Sequence, residues 1–240
     1  MSRASWLVSE IFSSLQGEGK LVGVPSIFLR LSGCNLRCTW CDTPYAAANA
    51  TGDLLSLQEI IAKVQSFEPT SHLVLTGGEP MIARGVSDLC RALREEGGIR
   101  HLTIETAGTI PPPPCLSWDL GSVSPKLEHS TPSTSEYGAR WKKLHEERRI
   151  SISALRAWMD RGDYQLKFVL SDPQDLKEIE ALLLSLDRNI PPHQILLMPE
   201  GTNSSSLRQQ AEWLAPLCLE RGYRFADRLH IHLFGDTRGT

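Results

Sequence analysis

Along this chain the spacing of hydrophobic positions switches repeatedly between a two-residue and a helical period. Residues 8–15 and 26–31 are rich in β-branched and aromatic side chains and predict two strands, separated by a turn carrying Gly17, Gly19 and Gly23. At Ser56 the period lengthens. Ser56 with Glu59 three residues on reads as a capping box, and Leu57, Ile60, Ile61 and Val64 then share one helical face. A short apolar run at 72–76 is closed by Gly77-Gly78-Glu79-Pro80, and Val86, Leu89 and Leu93 recur with helical spacing. A strand at 101–106 follows, then a stiff proline run at 111–114 that cannot join a central strand, then a short strand within 116–123 leading into Ser124-Pro125-Lys126.

Between 128 and 149 the pattern dissolves into Ser, Thr, Pro, Lys, Arg and Glu, which reads as an insertion: a flexible segment or lid, or equally a solvated helix over its second half. Alternation then resumes. A helix over 152–159 precedes a strand at 165–170. Asp172 and Pro173 open a helix carrying Leu176, Ile179, Leu182 and Leu183. A strand at 194–197, a helix over 207–219 and a final strand at 229–234 complete the series, and on that last strand His230 and His232 would share a face. Repeated strand-loop-helix units predict parallel strands joined by right-handed crossovers, hence an α/β fold built as a partial, open β/α barrel. The expectation is a single domain over 1–240 with an insertion around 128–149. The polar tail 235–240 either frays or folds over the site.

Composition changes this picture mainly by exclusion. A hydrophobic content of 41% and a charged content of 22% are those of an ordinary globular protein. A formal net charge of -3 offers no basic footprint for tight binding to nucleic acid. No apolar run approaches the roughly 20 residues that span a bilayer. Serines and glutamate interrupt the N-terminal apolar residues, so a secretory signal core is not expected and a cytoplasmic, reducing location is.

That location suits the chemistry read from the cysteines. Cys34, Cys38 and Cys41 stand at the spacing C-x3-C-x2-C directly after the second strand. Three thiolates this close can hold three corners of a cubane iron-sulfur cluster and leave its fourth iron without a protein ligand. A structural zinc site normally closes with four ligands, and the first histidine downstream, His72, lies far beyond finger spacing. Three clustered cysteines cannot pair evenly as disulfides. Cys90, Cys115 and Cys218 are scattered and read as small core or loop residues.

In a parallel sheet functional groups gather at the carboxyl ends of the strands. The cysteine loop, Thr76 with the glycine pair, Glu105-Thr106, Ser124-Pro125-Lys126, Lys167 and Met198-Pro199-Glu200 all fall at such ends. Two adjacent glycines there let a backbone approach a ligand closely.

These residues together resemble the radical S-adenosylmethionine (SAM) enzymes, marked by C-x3-C-x2-C with an aromatic residue before the last cysteine, here Trp40, and by a segment like Gly77-Gly78-Glu79-Pro80 that holds the methionine amino group of SAM. The resemblance implies a [4Fe-4S] cluster on Cys34, Cys38 and Cys41, whose open iron is chelated by SAM and whose electron releases a 5′-deoxyadenosyl radical. Ser14-Leu15-Gln16-Gly17-Glu18-Gly19, Phe28-Leu29-Arg30-Leu31, Cys41-Asp42-Thr43 and Ser124-Pro125-Lys126 are further similar to the branch of the family that converts 6-carboxy-5,6,7,8-tetrahydropterin to 7-carboxy-7-deazaguanine with loss of ammonia, a step toward queuosine. By that resemblance Trp40, Asp42, Gly78, Ser124, Pro125, Lys126, Met198 and Pro199 hold SAM. Leu15, Gln16, Gly17, Arg30 and Thr76 hold the substrate, and Thr43 binds Mg2+ with the substrate carboxylate. No catalytic side chain beyond the cofactor-derived radical is expected, and a flavodoxin-like electron donor and a homodimer are implied. The assignments make physical sense: Arg30 offers a planar fork to a carboxylate, and Thr43 is a neutral oxygen ligand that leaves Mg2+ largely to water and substrate oxygens. A glycyl-radical-enzyme activase, an iron-sulfur sensor and a zinc-stabilised interaction module remain as alternatives.

Overall fold

The computed structural model describes residues 4–240, so the first three positions of the N-terminal stretch lie outside the described residues. Nine strands form one sheet among them: β1 (Ser5–Leu15), β2 (Pro25–Leu31), β3 (Asp53–Ser56), β4 (His72–Gly77), β5 (His101–Thr106), β6 (Leu120–Val123), β7 (Tyr164–Leu170), β8 (Ile195–Pro199) and β9 (Arg224–Phe225). Their order is β3-β1-β2-β4-β5-β6-β7-β8-β9. From β2 to β9 every pairing is parallel, while β1 runs antiparallel to both β2 and β3. The expected parallel barrel therefore carries an antiparallel border, formed because the turn after Leu15 is short enough to return the chain beside itself. The two ends of the sheet do not pair with each other, and the barrel is partial and open.

Helices α1 (Pro44–Ala47), α2 (Leu57–Gln65), α3 (Val86–Glu95), α4 (Thr134–Arg148), α5 (Ile152–Arg161), α6 (Asp175–Ser185), α7 (Ser204–Arg221) and α8 (Leu229–Phe234) complete the chain. The Ser56–Glu59 capping box opens α2 as its sequence predicts. Successive strand residues alternate between two environments. Ile27, Leu29 and Leu31 of β2, Leu73 and Leu75 of β4, Leu102 and Ile104 of β5 and Leu166 and Phe168 of β7 pack in one core with Ile60 of α2, Leu89 and Leu93 of α3, Trp158 of α5 and Ile179 of α6. Each such side chain removed from water contributes about 1.5–3 kcal/mol, which fixes the register, since a one-residue slip would exchange the faces. The intervening residues, among them Arg30, Thr76, Glu105, Ser122 and Lys167, face the concave side and line a cavity. At the floor of that concave face His72 bridges β2 and β5, with Nδ1 2.8 Å from Ser26 Oγ and Nε2 2.9 Å from Thr103 Oγ1.

Two expectations need correction. Residues 229–234 form α8, not a strand. After Gly222 ends α7, only Arg224 and Phe225 reach β8 before the chain turns inward, so the alternating apolar residues find no neighbour with which to build a ladder. His230 and His232 therefore do not share a face: His230 packs on Gly17, and His232 Nε2 lies 3.1 Å from Asp227 Oδ1. The segment 128–149 is a short 3-10 turn (Glu128–Ser130) followed by α4, bent at Gly138, where φ is 78°. Of the readings offered for it, the helix over its second half is the one observed, largely exposed with His145 buried, and it buttresses the cysteine loop. Thr39 N donates to Ser130 O at 2.9 Å, Arg37 N donates to His145 Nδ1 at 3.1 Å, and the Arg37 guanidinium lies 3.9 Å from the Trp141 ring centre.

Candidate active site

The cysteine loop leaves β2 through Gly33, whose φ of 105° suits only glycine, and its turn is held by Arg37 Nη1 donating to Cys34 O at 3.0 Å. Cys34, Cys38 and Cys41 all line the concave cavity. Burial pushes the Cys34 thiol up to about 11 and the Cys38 thiol up to about 12, and raises Cys41 as well. Three neighbouring thiols that resist ionisation become thiolates by binding a cation or metal cluster. Among the described residues no three His, Cys, Asp or Glu side chains converge on a single metal-sized point. The sulfurs instead share a cavity wall, an arrangement suited to the separate corners of a cubane.

Gly77 and Gly78 let the end of β4 abut this loop. A Cβ on Gly77 would lie 2.2 Å from Leu31 O, and one on Gly78 would lie 2.3 Å from Gly33 O and 2.7 Å from Cys34 Cβ. Glu79 turns away from the cavity. Its buried carboxylate accepts from Thr106 Oγ1 at 2.8 Å, Ala107 N at 2.9 Å and Met81 N at 3.1 Å, stapling β4 to the end of β5. Burial raises its pKa against the opposing pull of those donors.

Trp40 packs on Val169, Leu196, Met198 and Ala226, and its Nε1 is buried without a hydrogen-bond partner. Lys126 Nζ lies 5.3 Å from the centre of the Trp40 ring and donates to Ser124 Oγ at 2.9 Å. An orphaned indole N–H, an apolar wall and a lysine-serine pair beside the cysteines fit a purine nucleoside bearing a charged amino-acid arm. Asp42, Thr43, Gly78, Ser124, Lys126 and Met198 border this space. Pro199 borders only the adjoining outer cleft, and Pro125 is buried outside both.

Leu15, Gln16, Gly17, Arg30 and Thr76 line the inner cavity, whose volume is about 220 Å³. It is continuous through Arg30, Trp40 and Thr43 with an outer cleft of about 720 Å³. Gln16 is anchored by Nε2 donating to Glu105 Oε1 at 3.2 Å. Arg30 is itself held in a partly buried ion pair, its Nε donating to Glu10 Oε1 at 2.6 Å. Beside them Glu18 binds both Lys167 and Arg228, and Arg228 also binds Asp42. Burial alone would raise Glu18, but the Lys167 and Arg228 charges hold it far below the usual carboxylate range. The tail 235–240 folds over the site, with Arg238 Nε donating to Glu10 Oε2 at 3.0 Å and Thr240 lining both spaces.

Sequence reasoning gave no role to Glu10, Arg228 or His129. His129 stacks on Trp40 with ring centres 5.7 Å apart, between Asp175 Oδ2 at 3.4 Å and Glu200 Oε2 at 3.5 Å. A signal existed for Glu10, a charged residue inside an otherwise strand-like run, but its partners lie 20 and 228 positions away.

A partial barrel with three cysteines beside a glycine-paired strand end defines a radical SAM enzyme, and the sequence model of the Radical SAM superfamily matches residues 29–118. Curated relatives extend the match to the whole chain. The 7-carboxy-7-deazaguanine synthase of Halobacterium salinarum is 45% identical, over 97% of this chain and 92% of the relative. That of Rhodopirellula baltica is 42% identical, over 100% and 90%. The crystal structure of QueE from Escherichia coli superposes with a TM-score of 0.67 at 26% identity, covering 94% of this chain and 95% of that one. The chain belongs to the 7-carboxy-7-deazaguanine synthase family. A [4Fe-4S] cluster and SAM follow from that membership.

Proposed function

We propose that this protein converts 6-carboxy-5,6,7,8-tetrahydropterin to 7-carboxy-7-deazaguanine with release of ammonia. The observation that carries the reading is the polar part of the cavity that the three cysteines also line, where Arg30, Gln16, Glu105 and Lys167 border a space of small-molecule size. A [4Fe-4S] cluster and SAM, when bound, would supply one-electron radical chemistry. The chain's own residues bind, orient and exclude water. Cys34, Cys38 and Cys41 hold the cluster; Trp40, Asp42, Gly78, Ser124, Lys126 and the Met198-Pro199 turn hold SAM, with Pro125 shaping the turn between Ser124 and Lys126.

Arg30 takes the substrate carboxylate. Among the described residues neither of its terminal nitrogens has a hydrogen-bond partner, so both remain for a ligand. Leu15, Gln16, Gly17 and Thr76 border the pterin, with Gln16 held in place by Glu105. Thr43, at the junction of the two spaces, contributes a neutral oxygen to Mg2+ shared with the carboxylate. The same reading includes one catalytic unit over 1–240, a flavodoxin-like electron donor, a homodimer and a cytoplasmic location. It is supported in part by a single continuous sheet and by the lack, among the described residues, of any helix long and apolar enough to cross a membrane.

Anaerobically reconstituted protein supplied with dithionite, SAM, Mg2+ and the carboxypterin is expected to form 7-carboxy-7-deazaguanine, detected by mass spectrometry. Intact SAM cleavage with no deazaguanine would overturn the substrate while keeping the radical chemistry. Cleavage with a protein glycyl radical as product would favour an activase.

A further inference from the structure

Arg30 does not stand alone in the cavity wall. Its Nε is committed to Glu10 Oε1, which also accepts from Tyr45 Oη at 2.9 Å, while Glu10 Oε2 accepts from Arg238 Nε at 3.0 Å. The Arg238 guanidinium lies 4.2 Å from the centre of the Tyr45 ring and donates to Ser9 O at 3.0 Å. Three separate parts of the chain thus meet on one carboxylate: β2 through Arg30, α1 through Tyr45 and the tail through Arg238. The Glu10 side chain is only 12% exposed. Burial by itself would raise its pKa, but the hydrogen bond and charge of Arg30, with the donors from Arg238 and Tyr45, hold it below the usual carboxylate range.

A guanidinium can meet a carboxylate along two edges, one using Nε and a terminal nitrogen, the other using both terminal nitrogens. Glu10 occupies the first edge. Only the second remains for a ligand, and the direction in which it faces is fixed by the bond at Nε. Tyr45 lies two residues beyond Thr43, so the same carboxylate also anchors the short helix that follows the proposed Mg2+ ligand.

We infer that Glu10 is the positioning residue for carboxylate recognition, holding Arg30 so that its terminal edge selects pterins that carry a carboxylate at C6. This rests on the proposed substrate. Glu10 touches no reacting atom; it acts through Arg30 by restricting the guanidinium to one presentation, which lowers the ordering cost of binding.

The test measures anaerobic equilibrium binding of two probes to reconstituted protein with SAM and Mg2+: the carboxypterin, and the same tetrahydropterin bearing a methyl in place of the carboxylate. The unaltered protein is expected to prefer the carboxylated probe by about 100-fold, the discrimination one desolvated bidentate charge pair provides. Glu10→Ala is expected to cut that preference about tenfold or more, by weakening the carboxylated probe alone. Glu10→Gln, which keeps an acceptor for Arg30 Nε, is expected to recover part of the loss. In turnover Glu10→Ala is expected to raise KM for the carboxypterin while KM for SAM stays near its original value. Equal weakening of both probes would mean a merely structural role, and unchanged preference no role; either overturns the inference. Failure of the unaltered protein to prefer the carboxylated probe overturns the substrate reading and this inference together, which separates the two by the protein on which failure first appears.

Discussion

Glu18 is shared by two buried cations, Lys167 and Arg228; Arg228 also pairs with Asp42 and donates to Gly201 O, and Lys167 lies within reach of the Glu105 charge. Removing one member of such a group strands the others. Glu18→Gln is expected to destabilise the protein by about 3 kcal/mol or more, read by urea unfolding, and Lys167→Met in the same chain should return part of that loss. A strictly additive double variant would show the pair to be uncoupled. At this scale the sequence is informative only where function is contiguous. The cysteines stand out by their spacing and Gly77-Gly78-Glu79-Pro80 by its resemblance to a family segment, both contiguous in the chain, whereas Glu18 reaches Lys167 across 149 positions and Arg228 across 210. No local pattern announces such partners. Glu79 shows the converse, a motif residue whose carboxylate staples backbone instead of facing the cavity.

Among elements, the contact between the end of β4 and the cysteine loop is a close backbone-to-backbone constraint on the site. Gly78→Ala would place a methyl 2.3 Å from a backbone oxygen of that loop, and neither side can yield like a flexible side chain. The expected outcome is a loss of about 2 kcal/mol or more in stability and a clear fall in iron retained after reconstitution, measured by unfolding and metal content. Full iron content in a stable variant would show that the two elements can separate. Strands β4, β5, β7 and β8 and helices α2, α3, α5 and α6 are legible in the sequence because each buries an apolar face with a clean period. α1 and β3 are missed because four residues carry too little period to read. The antiparallel sense of β1 is missed because strand direction leaves no trace in composition. α8 is misread because alternation predicts a strand only if a neighbour remains to pair with it.

At the scale of the whole molecule, two histidines buried neutral contribute to stability above the carboxylate range. Burial depresses His72 to about 4, with the neighbouring His101 adding to the effect, and depresses His145 to about 4. His145 Nδ1 accepts from Arg37 N and its Nε2 lies 2.9 Å from Ser130 Oγ, so protonation breaks the bond that holds the cysteine loop. The unfolded chain takes up these protons near pH 6.5 and the folded chain only near pH 4. Stability is therefore full above about pH 6.5 and declines as pH falls toward 4, by at most about 1.4 kcal/mol per pH unit for each histidine. His72→Gln is expected to flatten that decline in denaturant titrations between those limits; an unchanged slope would show that His72 does not carry it.

Where the two borders of the sheet fail to meet, the gap beside the cavity is spanned by side chains, Glu18 with Lys167 and Arg228, and not by a ladder of peptide groups. A closed ring of strands could be reshaped there only by shifting register, which would exchange every inward residue for its outward neighbour. This seam can be recut by paired substitutions, each lost charge matched at its partner, while the helices behind it stay packed. The architecture thus leaves ligand preference free to drift during evolution on a scaffold that need not be refolded to allow it.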